Sequence, residues 1–220
     1  MQRLSEHIRA NGLRPGDSLP SEAAFALQLG ISRPVVREAF RALATLRLIN
    51  IGNGRRAQVS AIDPSVLGLV LDHAVLTEQT SIQQIYDVRR TIELRTAALA
   101  ALRRSEREAQ EIATLTGAMR SDFSRPEQVM EHDIAFHEAI AAASRNPLFA
   151  LLVCSFHGVT RQTWAIGWNS RPDDAERMAS VDGHCAIAAA IAARDHRAAE
   201  AAMAEHFDMS VKALLAAGIN

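Results

Sequence analysis

The sequence of 220 residues contains little cysteine and few aromatic residues. Its two cysteines, Cys154 and Cys185, are too few for a disulfide framework, so we expect reduced thiols. Aromatic residues make up 5% of the chain, too few for the stacking platforms that bind single-stranded nucleic acids. No stretch approaches the run of about 18 apolar residues that a membrane-spanning helix needs, and the first residues carry charge instead of an apolar leader. We therefore expect a cytoplasmic protein that neither spans a membrane nor is secreted.

Lysine is almost missing, because Lys212 is the only one among 24 basic residues. The formal net charge of −1 also conceals an uneven distribution. Residues 1–60 contain nine arginines and four acidic residues, whereas the remaining residues contain 15 basic and 21 acidic ones. Arginine binds phosphate and guanine through two parallel hydrogen bonds. The distribution therefore indicates that the N-terminal region alone binds a polyanion.

The first sixty residues contain the cap and turn residues expected of three helices and a β-hairpin. Ser21 and Ser32 stand at cap positions, and glycines follow the first and second apolar stretches. The predicted elements are helices over 2–10, 21–29 and 32–46 and strands over 48–51 and 57–59. The inner face of the third helix is predicted to comprise Val35, Val36, Ala39, Phe40, Leu43 and Leu46. This order of elements predicts a winged helix-turn-helix.

Asp63-Pro64 marks the boundary of a second region, which is rich in alanine and leucine and has helical periodicity without strand signals. Helices are predicted over 65–76, 81–103, 105–121, 126–144, 147–168, 174–193 and 196–216. We therefore expect a mainly-α protein with two domains. Residues 1–62 form a winged helix-turn-helix that binds DNA, and residues 63–220 form an all-helical bundle of six or seven helices.

Arg33, Arg37 and Arg41 are spaced four apart, so they share one stripe of the third helix, opposite its apolar face. A basic stripe at the start of such a helix is typical of a recognition helix in the DNA major groove. The alternative interpretation is a solvated charged face, which the surrounding turn, helix and hairpin disfavour.

Acidic and histidine side chains in the second region form a candidate metal site. Asp133 and His137 are spaced i, i+4 and project from one helix face. His184 and His206 lie on two later helices, each beside an apolar stripe. One carboxylate and three imidazoles would suit a transition metal, with zinc first and nickel or manganese as alternatives. By spacing alone, each histidine could equally be a hydrogen-bonded core residue.

Residues 14–22 (RPGDSLPSE) and 29–39 (LGISRPVVREA) resemble the GntR family of bacterial transcription regulators. The resemblance covers residues 1–60 and implies DNA-binding roles for six residues. It implies that Arg33 and Arg37 contact base edges and phosphates, that Ser32 and Arg41 contact phosphates, and that Gly54 and Arg55 form the wing tip.

The Asp-x-x-x-His pattern, the following Ala-x-x-Ser-x-Asn-Pro (141–147) and the separation of 22 residues between His184 and His206 resemble the C-terminal ligand-binding domain of FadR-type GntR regulators. The resemblance is to the subgroup that carries a metal. It implies that the metal ligands are Asp133, His137, His184 and His206.

Residues 86–93 resemble the opening helix of that domain, in which an arginine faces the pocket. The corresponding residue is Arg89, which would bind the carboxylate of an organic acid through two parallel hydrogen bonds from its guanidinium. The alternative is a structural salt bridge between Arg89 and Glu93 at i, i+4 spacing.

The leading hypothesis is a homodimeric, ligand-controlled transcription regulator that represses a metabolic operon. It would bind double-stranded DNA at a pseudo-palindromic operator and respond to a small carboxylate effector. Two alternatives remain open. One is a metal hydrolase with Glu131 or Glu138 as general base, and the other is an architectural DNA-binding protein with a structural metal.

Overall fold

The structure is a computed structural model that describes residues 1–52 and 56–219. The chain divides into two compact units, Met1–Val66 and Leu67–Asn220. Each unit has its own buried apolar cluster. The elements of the first unit are α1 (Gln2–Ala10), α2 (Glu22–Leu29), α3 (Arg33–Thr45), β1 (Ile49–Asn50) and β2 (Gln58–Val59).

In the first unit, three helices and a two-stranded antiparallel sheet surround a small core. Gly30 ends α2 in the left-handed conformation (φ 65°), which a residue without a side chain adopts at low cost. The chain can therefore turn sharply between α2 and α3. Phe25 of α2 and Phe40 of α3 meet edge to face, with ring centroids 6.1 Å apart, and fix the two helices against each other.

The inner face of α3 is narrower than predicted. Val36, Phe40 and Leu43 are buried at i, i+4 and i+7. In contrast, Val35 is 57% exposed and Leu46 is 39% exposed, so their assignment to the inner face was wrong. Successive helical residues are about 100° apart, so Val35 cannot share the face that Val36 occupies.

All regular secondary structure in the described residues of the second unit is helical. After the connecting helix α4 (Ser65–Leu76), whose first residues lie in the first unit, its helices are α5 (Ile82–Arg103), α6 (Glu106–Ser121), α7 (Pro126–Ala143), α8 (Pro147–Ser155), α9 (His157–Asn169), α10 (Asp174–Ala192) and α11 (His196–Ala216). Helix α11 packs against α5 and α10, and α7 packs against α5 and α6. Phe136, Ile187, Met203 and Phe207 lie fully buried where these helices meet.

The predicted mainly-α fold with an N-terminal winged helix-turn-helix is confirmed, with one correction. The described residues after the hairpin form eight helices, not six or seven. The helix predicted over 147–168 is interrupted at Phe156, whose N–H donates to the carbonyl of Val153, three residues back instead of four. The Phe156 side chain is 3% exposed and belongs to a small apolar cluster with Ile85 and Val159.

None of the described helices combines the length and apolar character needed to cross a bilayer.

Candidate functional site

The exposed face of α3 displays the three arginines of the predicted stripe. Arg37 Nε lies 3.1 Å from Glu22 Oε2, and Arg41 Nη1 lies 2.9 Å from Glu38 Oε1. Both pairs are largely solvated, with 48% of the Arg37 side chain and 66% of the Arg41 side chain exposed. Exposed ion pairs are weak, so either arginine can leave its partner for a phosphate at little cost.

Two further residues of this surface lie at the start of α3. Arg33 is exposed and makes no ion pair within the part of the chain that the structure describes. Ser32 precedes the helix, and its side chain accepts no hydrogen bond from the first turn. Its hydroxyl therefore remains available to a phosphate. The predicted wing residues Gly54 and Arg55 lie outside the described residues.

In the second unit, the four predicted metal ligands meet in one buried cluster. Asp133 and His137 come from α7, His184 from α10 and His206 from α11. One potential ligand atom from each lies within 4.8 Å of those of the others. All four residues are between 4% and 7% exposed. The arrangement brings one carboxylate and three imidazoles from three helices to one point.

The contact between His184 and Asp133 has a chemistry that favours a cation. The carbonyl of Ser180 can only accept a hydrogen bond, so His184 Nδ1, 2.8 Å away, carries the donated proton. The opposite nitrogen, Nε2, lies 2.5 Å from Asp133 Oδ1. A neutral imidazole would then direct its lone pair at a carboxylate oxygen. A metal ion bound to both atoms would replace this repulsion by attraction.

Asp133 itself is ionised. Burial would raise the pKa of Asp133, but the neighbouring His184 outweighs it, so the pKa lies well below its usual value. Burial, followed by His184 and His137, holds the pKa of His206 well below its usual value. Nδ1 of His206 is buried without a hydrogen-bond partner among the described residues. His206 therefore offers a neutral imidazole, which is the form that ligates metals.

Glu93 on α5 contacts His137 of the cluster, and Arg89 on the same helix pairs with Glu93. Glu93 Oε2 lies 2.5 Å from His137 Nδ1, a close contact that is not aligned as a hydrogen bond. Burial opposes ionisation of Glu93, but His137 and Arg89 lower its pKa, so it is a carboxylate. Glu93 therefore places negative charge beside the His137 ring, where a carboxylate increases the basicity of a metal-ligating imidazole.

Arg89 makes the salt bridge that was the alternative interpretation of its role. Its Nε lies 3.0 Å from Glu93 Oε1, and its Nη1 donates to Thr160 Oγ1 at 2.9 Å. The side chain is buried, and it also lines the cavity beside the histidine cluster. The two roles are compatible, because a guanidinium has five N–H donors.

The cavity beside the cluster has a volume of about 50 Å³, several times the volume that one ordered water needs. Its wall includes hydroxyl groups of Thr160 and Ser180 and the indole of Trp164, which stacks on Trp168. Arg171 contributes a second guanidinium, hydrogen-bonded through Nη1 to Gly167 O at 2.6 Å. The space fits a small polar ligand with negative charge.

Sequence reasoning missed Glu93 as the partner of His137 and Arg171 as a cavity residue. The sequence pattern indicates Glu93 only as an ion-pair partner of Arg89. The i, i+4 spacing of the two α5 residues was the available signal, but their contact with α7 depends on packing between helices. Arg171 lies in the loop between α9 and α10, and no local pattern marks it.

Comparison with known proteins agrees with this architecture. The family of bacterial regulatory proteins, gntR family, matches residues 1–59, and the FCD domain matches residues 84–209. The HTH-type transcriptional regulator LutR of Bacillus subtilis is 31% identical over 203 residues, which cover 90% of this chain and 92% of LutR. The chain belongs to the GntR family of bacterial transcription regulators. It carries the FCD domain of the FadR-type subfamily, as predicted from the resemblance.

Other relatives of this GntR regulator are repressors by name. The galactonate operon transcriptional repressor of Escherichia coli is 29% identical and covers 86% of this chain and 83% of its own length. The HTH-type transcriptional repressor NanR of Cronobacter sakazakii is 27% identical, covering 94% of this chain and 80% of NanR. The solved structure of Streptococcus agalactiae GntR has the same fold, with a TM-score of 0.73, 23% identity and 96% of both chains covered. This GntR regulator is a DNA-binding transcription regulator and not an enzyme.

Proposed function

We propose that this GntR regulator is a cytoplasmic homodimer that represses a metabolic operon and releases its operator when a small carboxylate binds at a metal centre. Residues 1–62 bind the DNA, and residues 63–220 bind the effector and dimerise. The relatives from Escherichia coli and Cronobacter sakazakii are both named as transcriptional repressors, the first of them of a galactonate operon. A symmetric dimer would bind a pseudo-palindromic operator, because each winged helix contacts one half-site.

On the DNA side, Arg33 and Arg37 are proposed to contact base edges and phosphates from α3, while Ser32 and Arg41 contact phosphates. Their exposure and weak ion pairing support these roles. Gly54 and Arg55 complete the proposal as the wing tip, on the basis of the family resemblance alone.

On the effector side, Asp133, His137, His184 and His206 are proposed to hold one divalent metal. The observation that carries this proposal is the convergence of one carboxylate and three imidazoles, all buried, with one potential ligand atom from each within 4.8 Å of the others. The unpartnered Nδ1 of His206 supports it independently. Three nitrogen donors and one oxygen donor favour zinc, with nickel or manganese as alternatives.

A bound metal would supply positive charge and a coordination position for a carboxylate in the cavity. Arg89 is proposed as a second anchor for that acid, held in place by Glu93 and Thr160. The polar and cationic wall of the cavity favours a small acid such as a hydroxy acid, sugar acid or dicarboxylate. The acid can shift operator affinity only by its differential affinity for the two states of the dimer, typically about 1–3 kcal/mol.

The test is reciprocal. Organic acids are screened by thermal shift on the full chain with and without zinc, and operator titrations are repeated with each acid that stabilises the protein. We expect metal-dependent stabilisation by at least one small acid, which then weakens operator binding. Equal stabilisation of the Asp133→Ala/His137→Ala protein contradicts the proposed effector site. Operator binding that no acid changes would favour the architectural protein with a structural metal.

A further inference from the structure

A second group of donor atoms lies outside the histidine cluster, where α7, α8 and α9 meet. Glu138 of α7, Cys154 of α8 and His157 of α9 each present one potential ligand atom, and these atoms lie within 4.8 Å of one another. Glu138 follows His137 directly, so its side chain leaves α7 about 100° away from that of His137. Cys154 and His157 flank Phe156, the residue at which the predicted long helix is interrupted.

The imidazole of His157 is oriented towards this group without forming a hydrogen bond in it. Its Nε2 lies 2.9 Å from Glu138 Oε1, yet that nitrogen is buried and has no hydrogen-bond partner of acceptable geometry among the described residues. A buried nitrogen that is left unpaired costs free energy, and a metal ion would satisfy it.

A second carboxylate, that of Asp72, lies beside the residue that follows His157. The Asp72 side chain lies against Gly158, where a Cβ would come within 2.6 Å of Asp72 Cγ, so only glycine leaves room for it. Oδ1 of Asp72 is buried without a hydrogen-bond partner in the described chain. The neighbouring cation Arg161 is already paired with Glu131. The imidazole of His157 therefore lies beside one carboxylate and one thiol, those of Glu138 and Cys154.

We propose that Glu138, Cys154 and His157 form a second metal site, for a borderline or soft divalent ion such as zinc. Sulfur, nitrogen and oxygen donors in one site suit zinc and cobalt, and three protein ligands leave one coordination position open. Binding replaces the thiol proton of Cys154, which passes to solvent, with the metal. The three residues are partly exposed, so the ion can enter from solvent and exchange faster than an ion in the buried cluster.

The same three residue types could instead suggest a cysteine nucleophile activated by histidine. Burial, and then the charge of Glu138, raise the pKa of Cys154 to about 11. A nucleophilic cysteine needs a lowered pKa, so this arrangement disfavours that chemistry.

The experiment is a cobalt(II) titration of the full chain after removal of metals with a chelator. Cobalt bound to a thiolate gives a strong charge-transfer absorption in the near ultraviolet, whereas the Asp133 cluster contains no sulfur. We expect two cobalt ions per chain, with the charge-transfer band growing only with the second. Cys154→Ser should abolish the band and reduce the stoichiometry to one ion, and His157→Ala should also abolish it.

Cys185→Ser is the matched control, because Cys185 is the other cysteine and is adjacent to His184. It should keep both ions and the band. A wild-type protein without the band at saturating cobalt would overturn the proposal, as would a band lost in Cys185→Ser and kept in Cys154→Ser. Circular dichroism of each variant establishes that it is folded. If Cys154→Ser still binds one cobalt ion, the Asp133 cluster is intact, so loss of the band reports on the second site alone.

Discussion

The arginine face of α3 and the histidine cluster of the second unit place charged groups in opposite environments. The α3 arginines are solvated, and their ion pairs with Glu22 and Glu38 are exposed. The cluster instead buries two carboxylates, Asp133 and Glu93, among imidazoles and a guanidinium. An exposed charged side chain costs little folding free energy and remains free to bind a partner. A buried charged side chain must be compensated by opposite charge or hydrogen bonds within the fold. Removing one charged group should therefore affect binding in the first region and both binding and stability in the second.

The largest effect is expected at the buried ligands. Purified protein should carry close to one tightly held divalent ion per chain, and His206→Ala should lose it because one of four ligands and the orphan nitrogen are removed. Elemental analysis after gel filtration measures the stoichiometry. His196→Ala, at the exposed start of the same helix, should retain the ion. Equal metal content in the His206→Ala and His196→Ala proteins would show that the cluster does not bind the metal.

The second effect compares buried and exposed ion pairs on one helix. In metal-free protein, Arg89→Met leaves the buried Glu93 without its guanidinium and should lower the free energy of unfolding by about 3–5 kcal/mol. Arg90→Met removes an exposed pair with Asp208 and should cost less than about 1 kcal/mol. Urea denaturation followed by circular dichroism measures both. Similar losses in the two variants would mean that burial does not distinguish these pairs.

The third effect is confined to DNA binding. Arg33→Ala and Arg37→Ala should each weaken operator binding by about 1–3 kcal/mol if they reach base edges. Thermal stability should remain unchanged, because both side chains are exposed. Arg107→Ala is the control, since this arginine is 82% exposed on α6 of the second unit. Unchanged operator affinity at fixed salt in both α3 variants contradicts the assigned contacts.

The two regions also differ in how far the sequence predicts them. Helical spacing alone places Arg33, Arg37 and Arg41 on one stripe, because the information lies within a single helix. Spacing likewise pairs Asp133 with His137 on α7. The meeting of these two with His184 and His206 depends on the packing of three helices, and only the family resemblance indicated it.

Contacts between residues on different helices could not be predicted from spacing within one helix. Glu93 reaches His137 across the α5–α7 contact, and Phe156, at the interruption, packs with Ile85 of α5. The periodicity over 147–168 is helical on both sides of the interruption. A local pattern therefore could not reveal that α8 and α9 are separate, or that Cys154 and His157 face Glu138.

The smallest effect concerns the exposed pair of Arg41 and Glu38 on α3. A double-mutant cycle of Arg41→Ala and Glu38→Ala should give a coupling energy for folding of no more than about 0.5 kcal/mol, because both side chains are mostly in solvent. Arg41 can then exchange Glu38 for a phosphate, so Arg41→Ala should weaken binding to all DNA sequences alike and reduce the salt slope by about one. Glu38→Ala should bind the operator slightly more tightly, since it removes a negative charge beside the DNA. Urea unfolding measures the coupling, and operator titrations at several salt concentrations measure the slope. A coupling above about 1 kcal/mol, with an unchanged salt slope, would show that Arg41 serves the fold of the first unit and not the DNA.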